Sequence, residues 1–350
     1  MSKSFRFAAL LVMAVAMTFQ ANAYVEAQET GARTRSLLVT EEAPTKSRSS
    51  SAPVKTVSTK SDEIPELRKV SRKEIKQNAQ AEGGETYLMR YAFVPGTRLT
   101  SQVTHMATNY TKVNSSEENS SSRTVSHKTW DFIRCENGEF TFEYRITDID
   151  MSQRVGSGAE IRYSSKQEEE PMPQFKEVAE TVNELRSTVT IDEQGLIIAR
   201  SDHKNPPNLG MGDITLPLPS DPVSIGASWE SPRELRIQRE DGSLKLVKFR
   251  ELFRLEKVSA GIATISVRSE MITIINEPKE EAQVLQQLSD GTIKFDLDAG
   301  QMIAKNLEWD KRVVGFAGPG SVMEYSARLD EEVISSEVTA SSPRTATTQR

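Results

Sequence analysis

The chain has 350 residues, 37% of them hydrophobic and 27% charged, and a formal net charge of -6. That balance argues against general nucleic-acid binding, which needs a basic field to engage phosphates. One Cys and three His exclude an intramolecular disulfide framework and a multi-thiolate zinc site, and they leave little for a histidine-built metal centre.

Residues 1–23 have the pattern of a secretory signal peptide. Lys3 and Arg6 supply a positive start, Phe7 to Met17 is apolar, and Ala21-Asn22-Ala23 offers a small-x-small cleavage site between Ala23 and Tyr24. The apolar run is about half of the ~20 residues that a helix needs to cross a bilayer. No later apolar run reaches that length, so the sequence predicts an exported chain with no transmembrane segment after cleavage. Its expected location is the periplasm, the cell surface or the extracellular space.

Residues 24–84 form a polar leader. From Val25 to Thr86 there is no Phe, Tyr or Trp, and Ser, Thr, Lys, Arg and Glu dominate. Such a composition cannot bury enough apolar area to offset its ordering entropy, so a disordered linker is expected, spanning about 45 Å as a coil. Pro65, with Leu67, Val70 and Ile75 on one stripe and a Ser71/Glu74 capping box, predicts one short helix within it. The basic cluster Arg68, Lys69, Arg72, Lys73 and Lys76 is interspersed with Glu63, Glu66 and Glu74 and fits a solvated linker. Residues 333–350 are expected to form a disordered tail, Ser/Thr/Ala-rich from Ser335.

Residues 85–332 change character, and a mainly β domain with a few helices is expected there. Phe140, Phe142, Tyr144 and Ile146 alternate with Thr141, Glu143, Arg145 and Thr147, a strand with one buried face. Asn137-Gly138 and Asp241-Gly242 sit between strand patterns as hairpin turns, the second expected to be type I′. Asp290-Gly291 introduces the alternating Ile293, Phe295 and Leu297. Two segments have helical spacing instead: Phe175, Val178, Val182 and Leu185 after Pro171 and Pro173, and Ala282, Leu285 and Leu288 after Pro278. Helices of this kind cover the apolar face of an open sheet. Cys135 lies near a strand end, where the expectation is a small buried hydrophobe or, in an oxidising compartment, an intermolecular bridge.

The two halves correspond. Thr188-Val189-Thr190-Ile191-Asp192, then Gly195, Ile198, Ala199 and Arg200, lies against Thr292-Ile293-Lys294-Phe295-Asp296, then Gly300, Ile303, Ala304 and Lys305. Gly138 matches Gly261, which sets Phe140, Phe142 and Tyr144 on Ala263, Ile265 and Val267, and Trp130 and Phe132 on Phe253 and Leu255. Pro95-Gly96-Thr97 matches Ile225-Gly226-Ala227. The predicted architecture is a curved antiparallel sheet or half-barrel built from pseudo-repeats at about 90–200 and 220–310.

Catalytic grammar is sparse. There is no Gly-x-Ser-x-Gly elbow, Walker loop or His-Glu-x-x-His. His105 and His127 fall on adjacent strand patterns, where they would approach each other, and His203 is remote. Asp148, Asp150, Asp192 and Asp296 sit at strand ends, where Asp caps turns. No catalytic, cofactor or metal residue is therefore assigned. Trp130, Trp229 and Trp309 are either core residues or the lining of an apolar pocket on the concave side.

The segment Tyr91-Ala92-Phe93-Val94-Pro95-Gly96, the segment Leu216-Pro217-Leu218-Pro219 through Pro222, Val223, Gly226 and Trp229, and the closing turns Asp192-x-x-Gly195 and Asp296-x-x-x-Gly300 resemble a family of exported bacterial proteins of unknown function. The resemblance covers about residues 87–330. It implies a duplicated, curved antiparallel β domain, similar in shape to the half-barrels of lipoprotein-carrier proteins, and it implies no catalytic residue. The leading functional expectation is a non-enzymatic module that binds a lipid or other apolar ligand, or an envelope protein, on its concave face. A structural envelope component tethered by its leader and tail is the alternative. An exported hydrolase comes third.

Overall fold

The computed structural model describes residues 84–202 and 215–338. The expected signal sequence with its expected cleavage point between Ala23 and Tyr24, nearly all of the leader, His203 and the last twelve residues lie outside the described residues.

The first half contains β1 (Thr86–Tyr87), β2 (Thr97–Val113), β3 (Ser116–Glu136), β4 (Glu139–Val155), β5 (Ile161–Ser164), the helical turn α1 (Lys176–Ala179), β6 (Ser187–Asp192) and β7 (Ile197–Asp202). The second contains β8 (Val223–Ser224), β9 (Ser228–Gln238), β10 (Leu244–Ser259), β11 (Ile262–Met271), α2 (Pro278–Ala282), β12 (Asp290–Asp296), β13 (Gln301–Val314) and β14 (Val322–Val338). Twelve strands make one antiparallel sheet in the order β7-β6-β4-β3-β2-β14-β13-β12-β11-β10-β9, with β5 beside β4. The sheet is curved and not closed. β1 and β8 pair separately with each other.

The expected duplication is visible in the ladder. Counted outward from β2, the first half runs β2, β3, β4, β6, β7; counted inward from the far edge, the second runs β9, β10, β11, β12, β13. Both helices interrupt the meander between its third and fourth long strands. Finer features repeat at the matched positions. The β3–β4 turn has Asn137 at φ 54° and Gly138 at 75°, and the β10–β11 turn has Ala260 at 49° and Gly261 at 76°, the two positive values that a type I′ turn needs. Register shifts follow Phe132 and Leu255, then Thr190 and Lys294. Gly96 N–H donates to Phe132 O at 2.8 Å, and Gly226 N–H donates to Leu255 O at 2.7 Å. Among the described long strands, β14 alone has no counterpart.

Three expectations need correction. The Asp241-Gly242 turn is not type I′: only Gly242 has positive φ, at 82°. Gly242 N–H donates to Arg239 O at 3.0 Å and Arg239 N–H to Ser243 O at 2.8 Å, so the loop is longer and Gly242 alone takes the left-handed position. Second, β14 runs six residues past the expected domain end at Glu332, reaching Val338. Its Ser-rich end is polar, but the ladder to β2 (Ser335 opposite Thr100, Val338 opposite Thr97) supplies backbone partners that side-chain composition does not foretell.

Third, the helices are shorter than their apolar stripes suggested. A 3-10 turn at Pro173–Phe175 leads into α1, which lasts one turn before Asn183, at φ 64°, gives its N–H to Ile146 O. By then Phe175 and Val178 are already buried, and Val178 packs on Ile146 and Ile149. α2 and the 3-10 turn Leu285–Gln287 place Ala282 and Leu285 on Val313, Met323 and Tyr325. Val284 packs with Leu235, Ile237, Val247 and Phe249.

Candidate functional site

The inner face of the sheet is defined by alternation. On β3 the side chains of Ser126, Lys128, Trp130 and Phe132 are buried, as are Leu99, Ser101 and Val103 on β2 and Leu329 and Glu331 on β14. Two irregular segments lie against this face. Met89, Tyr91 and Phe93 come from one, and Leu216 and Leu218 from the other, all at 9% exposure or less. These are the two segments that carry the family resemblance, and the fold brings them together. Leu216 N–H donates to the Tyr91 hydroxyl at 2.9 Å, and Arg90 Nη1 donates to Pro219 O at 2.7 Å. Phe93 stacks on Phe132 with centroids 3.9 Å apart, and Tyr91 meets Phe295 edge-on at 5.4 Å. Burial holds the Tyr91 hydroxyl far above its ordinary pKa.

Residues 89–93 reach both closing turns of the repeat. Tyr91 N–H donates to Glu193 O at 2.8 Å and Ala92 N–H to Gly300 O at 2.9 Å. A Cβ on Gly195 would stand 2.5 Å from the Tyr91 ring, and one on Gly300 would stand 2.6 Å from Ala92 Cβ. The matched glycines therefore make room for this segment.

The three tryptophans have different surroundings. Trp229 stacks on Phe253 at 5.7 Å and donates Nε1–H to Pro217 O at 2.8 Å. Trp309 is partly buried, gives Nε1–H to Gln286 O at 2.9 Å and meets His105 edge-on at 6.2 Å. Trp130 stacks on Phe142 at 4.8 Å, and its buried Nε1–H has no hydrogen-bond acceptor among the described residues. Trp130 borders a small cavity, with room for the centre of a water molecule of about 10 Å³, shared with Tyr91, Phe93, Leu99, Ser101, Met302, Glu331 and Val333.

Beside that cavity is a charged group that the sequence reading missed. Lys128 Nζ lies 2.5 Å from Glu331 Oε1 and Lys305 Nζ lies 3.5 Å from Oε2, with side-chain exposures of 3%, 1% and 6% for Lys128, Glu331 and Lys305. Lys128 also stands 5.6 Å from the Trp130 ring centroid, a cation–π contact. Burial pushes the Glu331 carboxyl upward, but Lys128 and Lys305 outweigh it and hold the carboxyl below its ordinary range. Nearby, burial raises the Tyr144 hydroxyl to about 12, in a field set by Arg186, Glu331, Arg200 and Lys305. The missed signal is one of phase: Lys128 alternates with Trp130 and Phe132, Glu331 with Tyr325, Ala327 and Leu329, and Lys305 with Leu307. A charge in an apolar phase marks a buried charge.

The other candidate chemistry stays dispersed. The register sets His105 opposite Thr124 and His127 opposite Gln102, and alternation places the two histidines on opposite faces. His127 Nδ1 is 3.5 Å from Asp148, which also holds Lys166 at 2.5 Å. Asp192 accepts from Gln194 N–H at 2.9 Å, and Asp296 accepts from Ala299 N–H at 2.9 Å, so both cap their turns. Cys135 is half-buried against the main core, and burial raises its thiol. Among the described residues no group of three or more His, Cys, Asp or Glu side chains is placed to hold a metal ion, and no helix is long and apolar enough to cross a membrane.

No family model and no curated protein matches the chain. A solved structure titled for lipid–protein interactions in lipovitellin aligns over 74% of this chain and 27% of that one, at 10% identity and a TM-score of 0.40. The chain thus spans about a quarter of that protein's length. An outer membrane channel from Pseudomonas putida F1 aligns over 69% of this chain and 97% of that one, at 6% identity and a TM-score of 0.22.

Proposed function

We propose that this chain is an exported, non-enzymatic module that takes an amphipathic acid, an acyl chain with a carboxylate head, on the concave face of its sheet. The observation that carries the reading is the Trp130 indole N–H, buried on the wall of the cavity without an acceptor among the described residues. Leaving a buried donor unmet costs about 1–3 kcal/mol, a cost that a ligand oxygen would remove. The surroundings suit such a head group. The charged residue on the wall is Glu331, and Lys128 and Lys305, which pair with it from behind the wall, leave the group one positive charge in excess, while Phe93, Leu99 and Met302 give the wall an apolar surface for the chain. In the closed form the space holds about one water, so loading requires residues 84–95 to move off the inner face. Met89, Tyr91 and Phe93 present alternating apolar groups to the face that the acyl chain would take over.

Native mass spectrometry of the full protein purified from its own cells tests this reading. A co-purifying acidic amphiphile, released by organic extraction, is expected. A mass equal to the bare polypeptide, together with no uptake of added fatty acid, would sink it.

A further inference from the structure

Leu244, Leu246, Ile272 and Ile274 are 68%, 44%, 56% and 80% exposed. Alternation puts all four on the outer face of the sheet, opposite the face that holds the Trp130 cavity. Leu235, Ile237, Val247 and Phe249 pack together on the inner face, with Met271 and Ile275 against them, so the residues alternating with them point outward. The ladder brings the four together. Leu244 and Leu246 lie in β10 opposite Gln238 and Arg236 of β9. Ile272 N–H donates to Lys248 O at 2.8 Å, and Lys248 N–H donates to the Thr273 hydroxyl at 2.9 Å. The stretch that carries Ile272 and Ile274 therefore runs alongside the start of β10.

The duplication shows that the fold does not require these side chains. The match of Gly138 with Gly261 sets Leu244 and Leu246 on Ser121 and Arg123 of β3, and both of those polar residues are exposed. Isolated apolar side chains on a surface are ordinary, but a contiguous patch rimmed by polar groups marks a contact surface. Charge and size choose the occupant. From Glu234 to Lys248 the hairpin carries four basic and three acidic side chains, so the rim is close to neutral and offers no strong field to a highly charged partner. The patch is purely aliphatic, whereas the centres of protein interfaces are rich in aromatic residues, Met and Arg. Four side chains also fall short of the roughly 800 Å² per partner that a stable protein interface buries. An aliphatic patch inside a nearly neutral polar rim matches the boundary between zwitterionic head groups and acyl chains.

We infer that the outer face of the β9–β10 hairpin, through Leu244, Leu246, Ile272 and Ile274, docks on the surface of a zwitterionic phospholipid bilayer. This contact goes beyond the acyl ligand proposed for the inner face and uses the other side of the sheet. The second half of the duplication thereby carries a membrane-facing patch that the first half lacks at Ser121 and Arg123.

The test uses the full chain and phosphatidylcholine vesicles free of fatty acid, with flotation as the readout. The protein is expected to float with the vesicles in low and in high salt. Leu244→Ser with Ile274→Ser should lower partitioning by about tenfold or more. Ile133→Ser, at an aliphatic residue exposed elsewhere, should leave it unchanged. A second readout does not depend on the serine variants. In a Cys135→Ser background, an environment-sensitive dye on Leu246→Cys should shift to the blue with vesicles, and the same dye on the matched Arg123→Cys should not. Absence of flotation, equal flotation of the double variant, loss of binding in high salt, or equal shifts at both dye positions overturns the inference. So does a concentration-dependent dimer that the double variant abolishes, which would give the patch to a second copy of the chain. None of these outcomes touches the acyl-ligand reading, which oleate uptake without vesicles tests separately.

Discussion

Lys128 Nζ lies 2.5 Å from Glu331 Oε1 even though β2 runs between their two strands, and neither side chain is more than 3% exposed. A flat sheet would hold these side chains about 10 Å apart at their bases, two inter-strand spacings. The length of the two side chains spans that gap. A double-mutant cycle with Lys128→Met and Glu331→Gln should give a coupling energy above about 1 kcal/mol, with Glu331→Gln alone costing about 3–5 kcal/mol because two buried ammonium groups lose their carboxylate. Additive urea midpoints would show that the contact is not formed.

Two titrations should separate along the pH axis. Glu331 has a folded pKa below its unfolded value, so its contribution is complete above the ordinary carboxylate range, about 4.3, and is lost as pH falls through the lower folded value. His105 also has a lowered folded pKa, through burial. Its neutral form is favoured by folding, so stability declines once pH drops below about 6.5 and continues to fall through the folded value. Urea midpoints for His105→Gln should fall less between pH 7 and pH 5 than those of the parent. Equal slopes would show that His105 titrates freely.

Ala260 occupies a left-handed position, φ 49°, where the matched turn has Asn137. Ala260→Gly relieves the Cβ strain and should raise stability by about 1 kcal/mol. A lowered thermal midpoint would contradict the turn geometry and, with it, the correspondence between the two β-hairpins.

At Gly242 the prediction has the opposite sign. A Cβ there meets nothing within 4 Å, yet φ is +82°, so the penalty is purely one of backbone conformation. Gly242→Val should cost about 1–3 kcal/mol, read from denaturation midpoints. No change would place the residue outside the left-handed region.

Much of this fold was legible from local chemistry. Gly138 and Gly261, Phe132 and Leu255, and Thr190 and Lys294 could be matched in sequence because turns and β-bulges demand particular residues at fixed offsets. The order of strands was not legible, since hairpin signals say which neighbours pair but not that β14 returns to join β2. The length of β14 was hidden for a related reason: Ser335 to Val338 are held by a backbone ladder, which composition does not report. The tryptophans were singled out as core residues or pocket lining, and two of the three have found their acceptors in Pro217 and Gln286. Trp130 differs through its missing acceptor and its charged neighbours. Lys128 and Glu331 drew no notice in the sequence, although counting strand phase from Trp130 and Leu329 places both inside.

The most direct measurement on the functional account is a titration of delipidated full-length protein with oleate and, separately, with oleyl alcohol, followed by tryptophan fluorescence. The account predicts a saturable change at one ligand per chain, with oleate bound about tenfold more tightly than the alcohol, the 1.4 kcal/mol expected of a charge-assisted head-group contact. No saturable change with either ligand, or equal affinity for the two, would contradict it.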